Sequence, residues 1–192
     1  MVFSEAYPAF GTMLREPTMT EAKVPEGTPV DVADFRAAMR LIVGNVSVIT
    51  AGTGEDRSGL VVISVVSLSA EPPKVIACVN RSSSTWPLIE RYRHFGVNSL
   101  GPQHKAVAER FSGFGGIKGK DRYEGAEWMT LKTGASLLCD AVAAFDCSLD
   151  EMIDRGTHSI VIGSVEAVRT RDTGQALIYW GAAIGRSTRR MY

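Results

Sequence analysis

The sequence predicts a mainly β chain, an antiparallel barrel or sandwich with short helices at its connections. Three observations predict it. Short apolar runs separated by turn residues fill most of the 192 residues. Helical periodicity is confined to brief stretches. Strands do not alternate with long helices, as a parallel sheet built from βαβ units would require. A content of 45% hydrophobic and 22% charged residues suits a chain that buries a sizeable core. The length suits one domain over 31–192, preceded by an irregular arm over 1–30. That arm holds Pro8, Pro17, Pro25 and Pro29, half of the prolines.

The elements follow in order. Asp31 or Asp34 can cap a helix in which Phe35, Ala38, Met39 and Ile42 recur at helical spacing, with Arg36 and Arg40 opposite and Gly44 ending it. Val46 to Thr50 reads as a short strand, and AGTGEDRSG (51–59) as a turn-rich connection. Gly59 to Asn80 reads as a hairpin, two strands about a tight Pro-Pro turn. Ser84 or Thr85 caps a short helix with Pro87 in its first turn, running through Leu88, Ile89 and Tyr92. His94 to Leu100 is a strand. A helix begins near Pro102 and passes through Ala106, Val107 and Phe111 to Gly113. Residues 114–125 form a polar loop with Lys118, Lys120 and Arg122. Strands close the chain at about 136–150, 157–169 and 175–180.

Several function classes are excluded. The formal net charge is zero, against the basic excess of nucleic-acid binders and polybasic membrane-surface proteins. Zero net charge favours self-association. The glycines at 113–119 do not make a phosphate loop, because Phe114 and Asp121 stand at the wrong places. No GxGxxG, HExxH or GxSxG occurs. His94, His104 and His158 lack metal-ligand spacing among themselves or with Cys78, Cys139 and Cys147. The cysteine count is odd and widely spaced, so no disulfide framework is expected. Cys78 reads as a small buried hydrophobe, and a reducing, cytoplasmic setting is expected. No apolar run approaches a membrane span.

The stretch with chemical content is Gly59 to Ser82. A hydroxyl-bearing strand (Ser64, Ser67, Ser69) is followed by the apolar Val75–Val79, which breaks into Asn80, Arg81, Ser82, Ser83 and Ser84. An apolar strand ending in donors and one cation can serve a phosphate-bearing ligand. It can equally be a core hairpin with a polar loop. His158, in GTHSIVIG, is a surface histidine or a polar group reaching into a cofactor site. Tyr179 and Trp180 are core or interface aromatics, or a pocket wall for a stacked ring.

Several blocks, in order, resemble the short-chain flavin reductases, the NAD(P)H:flavin oxidoreductase components of two-component monooxygenases. They are FRAAMRLIVGNVSVIT (35–50), SLSAEPPKVIACVNRSSS (67–84), FGVNSLGPQHKAVAERFSG (95–113), the run from Trp128 to Cys147, and GTHSIVIGSV (156–165). The resemblance covers about 35–182. It implies a six-stranded antiparallel split β-barrel of the FMN-binding type, with Greek-key connections, flanking helices and a homodimeric assembly. It implies FMN or FAD as flavin and NADH or NADPH as hydride donor. Carried over by motif, the flavin contacts are Ser64, Val65, Val66, Ser67, Ser69, Asn80, Arg81, Ser84 and Asn98, with Gln103 in the same block, and the nicotinamide contact is His158. The reduced flavin would pass to a separate monooxygenase that hydroxylates an aromatic compound.

The chemistry agrees with that reading. Arg81 and the serines can bond a phosphate. The flavin performs the redox step, so the protein needs only to hold nicotinamide against flavin at roughly 3 to 3.5 Å. That accounts for a sequence without a conspicuous acid–base cluster. One departure stands out. Where the family commonly carries hydroxyls, this chain has Val61 and Ile63. A flavin carrier without reductase activity and a split-barrel reductase of another substrate are the alternatives. Missing basic phosphate motifs weigh against a pyridoxamine-phosphate oxidase relative.

Overall fold

The computed structural model describes residues 27, 29–171, 175–181 and 183–188. The predicted arm over 1–30 lies almost wholly outside the described residues. Helix α1 (Val32–Met39) forms where the periodicity places it, and the Asp31 carboxylate accepts from the amides of Ala33 and Asp34 at 2.6 and 3.3 Å. An acceptor at this position satisfies amides that have no partner within the helix.

The strands that follow are β1 (Gly44–Asn45), β2 (Ser47–Thr53), β3 (Asp56–Val62), β4 (Val66–Ala70) and β5 (Pro73–Asn80). Then come α2 (Trp86–Tyr92), β6 (His94–Ser99), α3 (Lys105–Phe111), and β7 (Trp128–Met129) with β8 (Leu137–Leu138). The two long strands β9 (Ala143–Arg155) and β10 (His158–Thr170) lead to β11 (Gln175–Trp180) and β12 (Ala183–Thr188). The main sheet has seven strands in the order β3-β2-β6-β9-β10-β5-β4, every pair antiparallel. The fold is thus the expected mainly β split barrel, with seven strands in its sheet where six were expected.

Two expectations fail in the stretch 51–70. Residues 51–59 are not a loose connection. β2 and β3 run through them as a hairpin, with Thr53 opposite Asp56 across two turn residues. Their small side chains reflect close packing. A Cβ at Gly59 would stand 2.4 Å from Phe111 Cε1, and the Tyr123 hydroxyl donates to Ser58 O at 2.6 Å. Nor is 59–70 one strand. β3 pairs with β2, whereas β4 pairs with β5 at the opposite edge of the sheet. The chain crosses between the two edges at Ile63–Val65, and the barrel remains split there.

The barrel core contains Ile49, Val79, Ile89, Phe95 and Val161, all fully buried. A second cluster, with Leu100, Phe111, Leu137 and Leu138, lies under α3 and is closed by the edge-to-face and tilted rings of Phe111, Tyr123 and Trp128. At a bulge in β10 the chain uses Gly163. A Cβ there would lie 2.4 Å from Phe95 Cζ.

Candidate functional site

β5 sets the site through its period of two. Val75, Ala77 and Val79 point into the core, so Ile76, Cys78 and Asn80 take the other face. The expectation that Cys78 is buried therefore fails: its thiol is exposed. Beside it, the Ser64 hydroxyl accepts from Cys78 N at 3.0 Å and faces Cys78 O at 3.4 Å. This ties the crossing segment to β5. On the neighbouring strand, His158 stands directly opposite Asn80.

These residues surround a cleft of about 470 Å³. Its walls are Leu60, Val61, Val62 and Ile63, with Ser64, Cys78, Asn80 and His158 supplying polar atoms and Tyr179 and Ile184 closing the far side. Tyr179 thus takes the pocket-wall role weighed above. Trp180 does not; its indole N–H donates to Leu41 O at 3.2 Å. Both departures from the family pattern, Val61 and Ile63, face this cleft.

A second cleft, of about 660 Å³, continues from the first through the shared residues Leu60, Val61 and Asn80. It is polar. Ser82, Ser83, Ser84 and Ser112 line it together with Lys118 and Arg122. The Asn80 carboxamide oxygen accepts from Ser82 N and Ser82 Oγ at 2.9 and 2.8 Å, which shapes the turn. The Ser84 and Ser58 hydroxyls are 2.8 Å apart. Arg122 is half-buried and donates to the carbonyls of Gly59, Phe111 and Ile117. Its burial pushes the guanidinium pKa down. Lys120 is drawn away to Glu55.

The other expected contacts are placed elsewhere. Val65, Val66, Ser67 and Ser69 line a separate cleft of about 520 Å³ between β4 and the strands β9 and β10. Arg81 lines neither of the first two clefts. It pairs with Asp154 at 3.1 Å, faces Gly156 O at 3.4 Å and lies 5.8 Å from the Trp86 ring. Asp154 is held in turn by Ser159 Oγ at 2.6 Å, and that hydroxyl accepts from Trp86 Nε1 at 2.8 Å. Asn98 is fully buried. Its amide donates to Val48 O at 3.2 Å and its oxygen accepts from Leu138 N at 2.7 Å, so the side chain laces β6 to β2 and β8. Gln103 is exposed on a 3₁₀ turn outside all three clefts. Among the described residues, no cluster of His, Cys, Asp and Glu could hold a metal ion, and no helix is long and apolar enough to cross a membrane.

An apolar cleft of ring-system size opening into a polar, cationic one suits a planar aromatic ligand with an anionic tail. The comparisons agree. Residues 39–187 match the model of the flavin reductase like domain. The chain belongs to that family. An FMN reductase (NADH) RutF 2 of Rhizobium rhizogenes is 36% identical over 147 residues, spanning 77% of this chain and 84% of that protein. BorF, the flavin reductase component of a bacterial two-component tryptophan halogenase, superposes with a TM-score of 0.76 at 25% identity, over 83% of this chain and all of that one. The styrene monooxygenase flavin reductase SMOB of Pseudomonas putida S12 superposes at 0.71 with 26% identity, over 82% of this chain and 99% of its own.

This flavin reductase-like chain thus presents its family's fold. Lys118, Ser82, Ser83 and Ser112 were not among the predicted flavin contacts. Only the cationic character of 114–125 announced the first. The serines were visible as a run, but their convergence with α3 depends on tertiary packing.

Proposed function

We propose that this protein reduces free FMN with NADH and releases the reduced flavin to a separate oxygenase. The observation that carries the reading is the continuity of the two clefts across Leu60, Val61 and Asn80. The apolar half receives the ring system and the polar half its phosphate tail. The naming of the RutF relatives as NADH-dependent FMN reductases supports the choice of flavin and donor. The partner is a flavin-dependent oxygenase; BorF is named as the flavin reductase component of a two-component tryptophan halogenase, and SMOB as the styrene monooxygenase flavin reductase. Both of those are named for aromatic molecules, tryptophan and styrene.

Hydride transfer from nicotinamide is chemistry that a bound flavin supplies. The protein's own residues bind and orient. Leu60, Val61 and Ile63 present an apolar wall to a ring. Asn80 and Ser64 sit at its polar border, and Ser84 takes part at the tail. His158, exposed at the start of β10 with Nδ1 2.9 Å from Thr157 Oγ1, is placed to receive the nicotinamide nucleotide. Val61 and Ile63 give this wall no side-chain donors. This suits a flavin that is held weakly and released.

The working unit is a homodimer. The apolar side of α1 and of the turn after it is largely uncovered by the described residues: Phe35 and Ile42 are each 57% exposed, and no α1 residue is buried. Val66 and Leu68 on the edge strand β4 are exposed as well. Apolar surface on this scale, in a chain without net charge, suits a second copy. Light scattering coupled to gel filtration should return twice the chain mass, and a monomer would reject this assembly. NADH oxidation measured with and without FMN tests the reaction: flavin-dependent turnover is expected, and its absence with either nucleotide would reject the reading.

A further inference from the structure

The cation expected from sequence to meet the phosphate, Arg81, is already engaged with Asp154 and lies outside both continuous clefts. The polar cleft holds two other cations and no lining carboxylate. Arg122 sits half-buried in its wall, bonded only to carbonyl oxygens, with no described carboxylate in ion-pair reach. A guanidinium withdrawn from water without a counter-charge is costly, and an anionic ligand is what offsets it. Lys118 lines the same cleft, is exposed, and ion-pairs with no described carboxylate. Its neighbours Lys120 and Arg110 do, with Glu55 and Glu124. Ser82, Ser84 and Ser112 line the same volume.

We propose that Lys118 and Arg122 supply the counter-charge for the phosphate end of the ligand, in place of Arg81. Arg122 is the fixed charge, locked by three carbonyls. Lys118 is the exposed one, reaching the anion from the loop after α3. This assignment rests on the flavin reading above, in which the anion is the FMN phosphate.

The test compares FMN with riboflavin, which has the same ring and no phosphate. Dissociation constants are measured by flavin fluorescence for the wild type and for Lys118→Glu, a change at an exposed position that the fold tolerates. The wild type should prefer FMN. In the variant the FMN constant should rise about tenfold or more, with riboflavin unchanged. Equal shifts for both flavins, or no shift, would overturn the assignment. Binding of neither flavin by the wild type would instead reject the flavin reading. In that case inorganic pyrophosphate decides the cleft itself. A rise in melting temperature that Lys118→Glu abolishes supports an anion site, and no rise overturns it.

Discussion

At the scale of single residues, the account turns on which side chains face the cleft. Cys78 does, and Cys147 does not; burial pushes the Cys147 thiol up to about 12. A neutral, inaccessible thiol is unreactive. Thiol titration of the native protein should therefore modify Cys78 and spare Cys147, and FMN should slow the reaction at Cys78. Modification at an undiminished rate under saturating FMN would remove Cys78 from the flavin cleft. His158→Ala should raise the Michaelis constant for NADH more than that for FMN. The reverse pattern would move His158 out of the nicotinamide site. His94 belongs to folding. Burial lowers its pKa, against the pull of nearby Asp146, so the native state holds it neutral. Below about pH 6.5 the unfolded chain takes up a proton there that the native chain refuses. Stability should fall as the pH drops through that range, and His94→Gln should flatten the fall. An equal fall in both proteins would acquit His94.

At the scale of elements, the sequence revealed strands better than their partners. Period-two burial along β5 is not legible in the continuous apolar run Val75–Val79, which hides the outward thiol of Cys78. The hairpin at 51–59 was hidden because Gly59 and Ser58 read as turn residues, although they serve close packing against Phe111 and Tyr123. The crossing at Ile63–Val65 could not be seen at all: which edge a strand joins depends on contacts far away in the chain. Asn98 shows the same limit for function. The motif placed it among ligand contacts, but its amide joins three strands. Asn98→Ala should accordingly cost about 1 to 3 kcal/mol of stability by orphaning buried backbone groups, with no selective effect on FMN against riboflavin. Denaturant unfolding checks this, and a variant of native stability with weakened FMN binding would contradict it.

At the scale of the whole molecule, a split barrel places an apolar cleft beside a polar one and leaves the redox work to its ligands. The separate cleft lined by Val65, Val66, Ser67 and Ser69 adjoins the exposed edge strand β4, where a second copy would bring further walls. The most direct measurement is anaerobic stopped-flow mixing of the protein and FMN with NADH, following the flavin absorbance. Bleaching that is fast with protein and slow without it is the predicted result. FMN that binds yet stays oxidised with both NADH and NADPH would contradict the account and leave a protein that only carries the flavin.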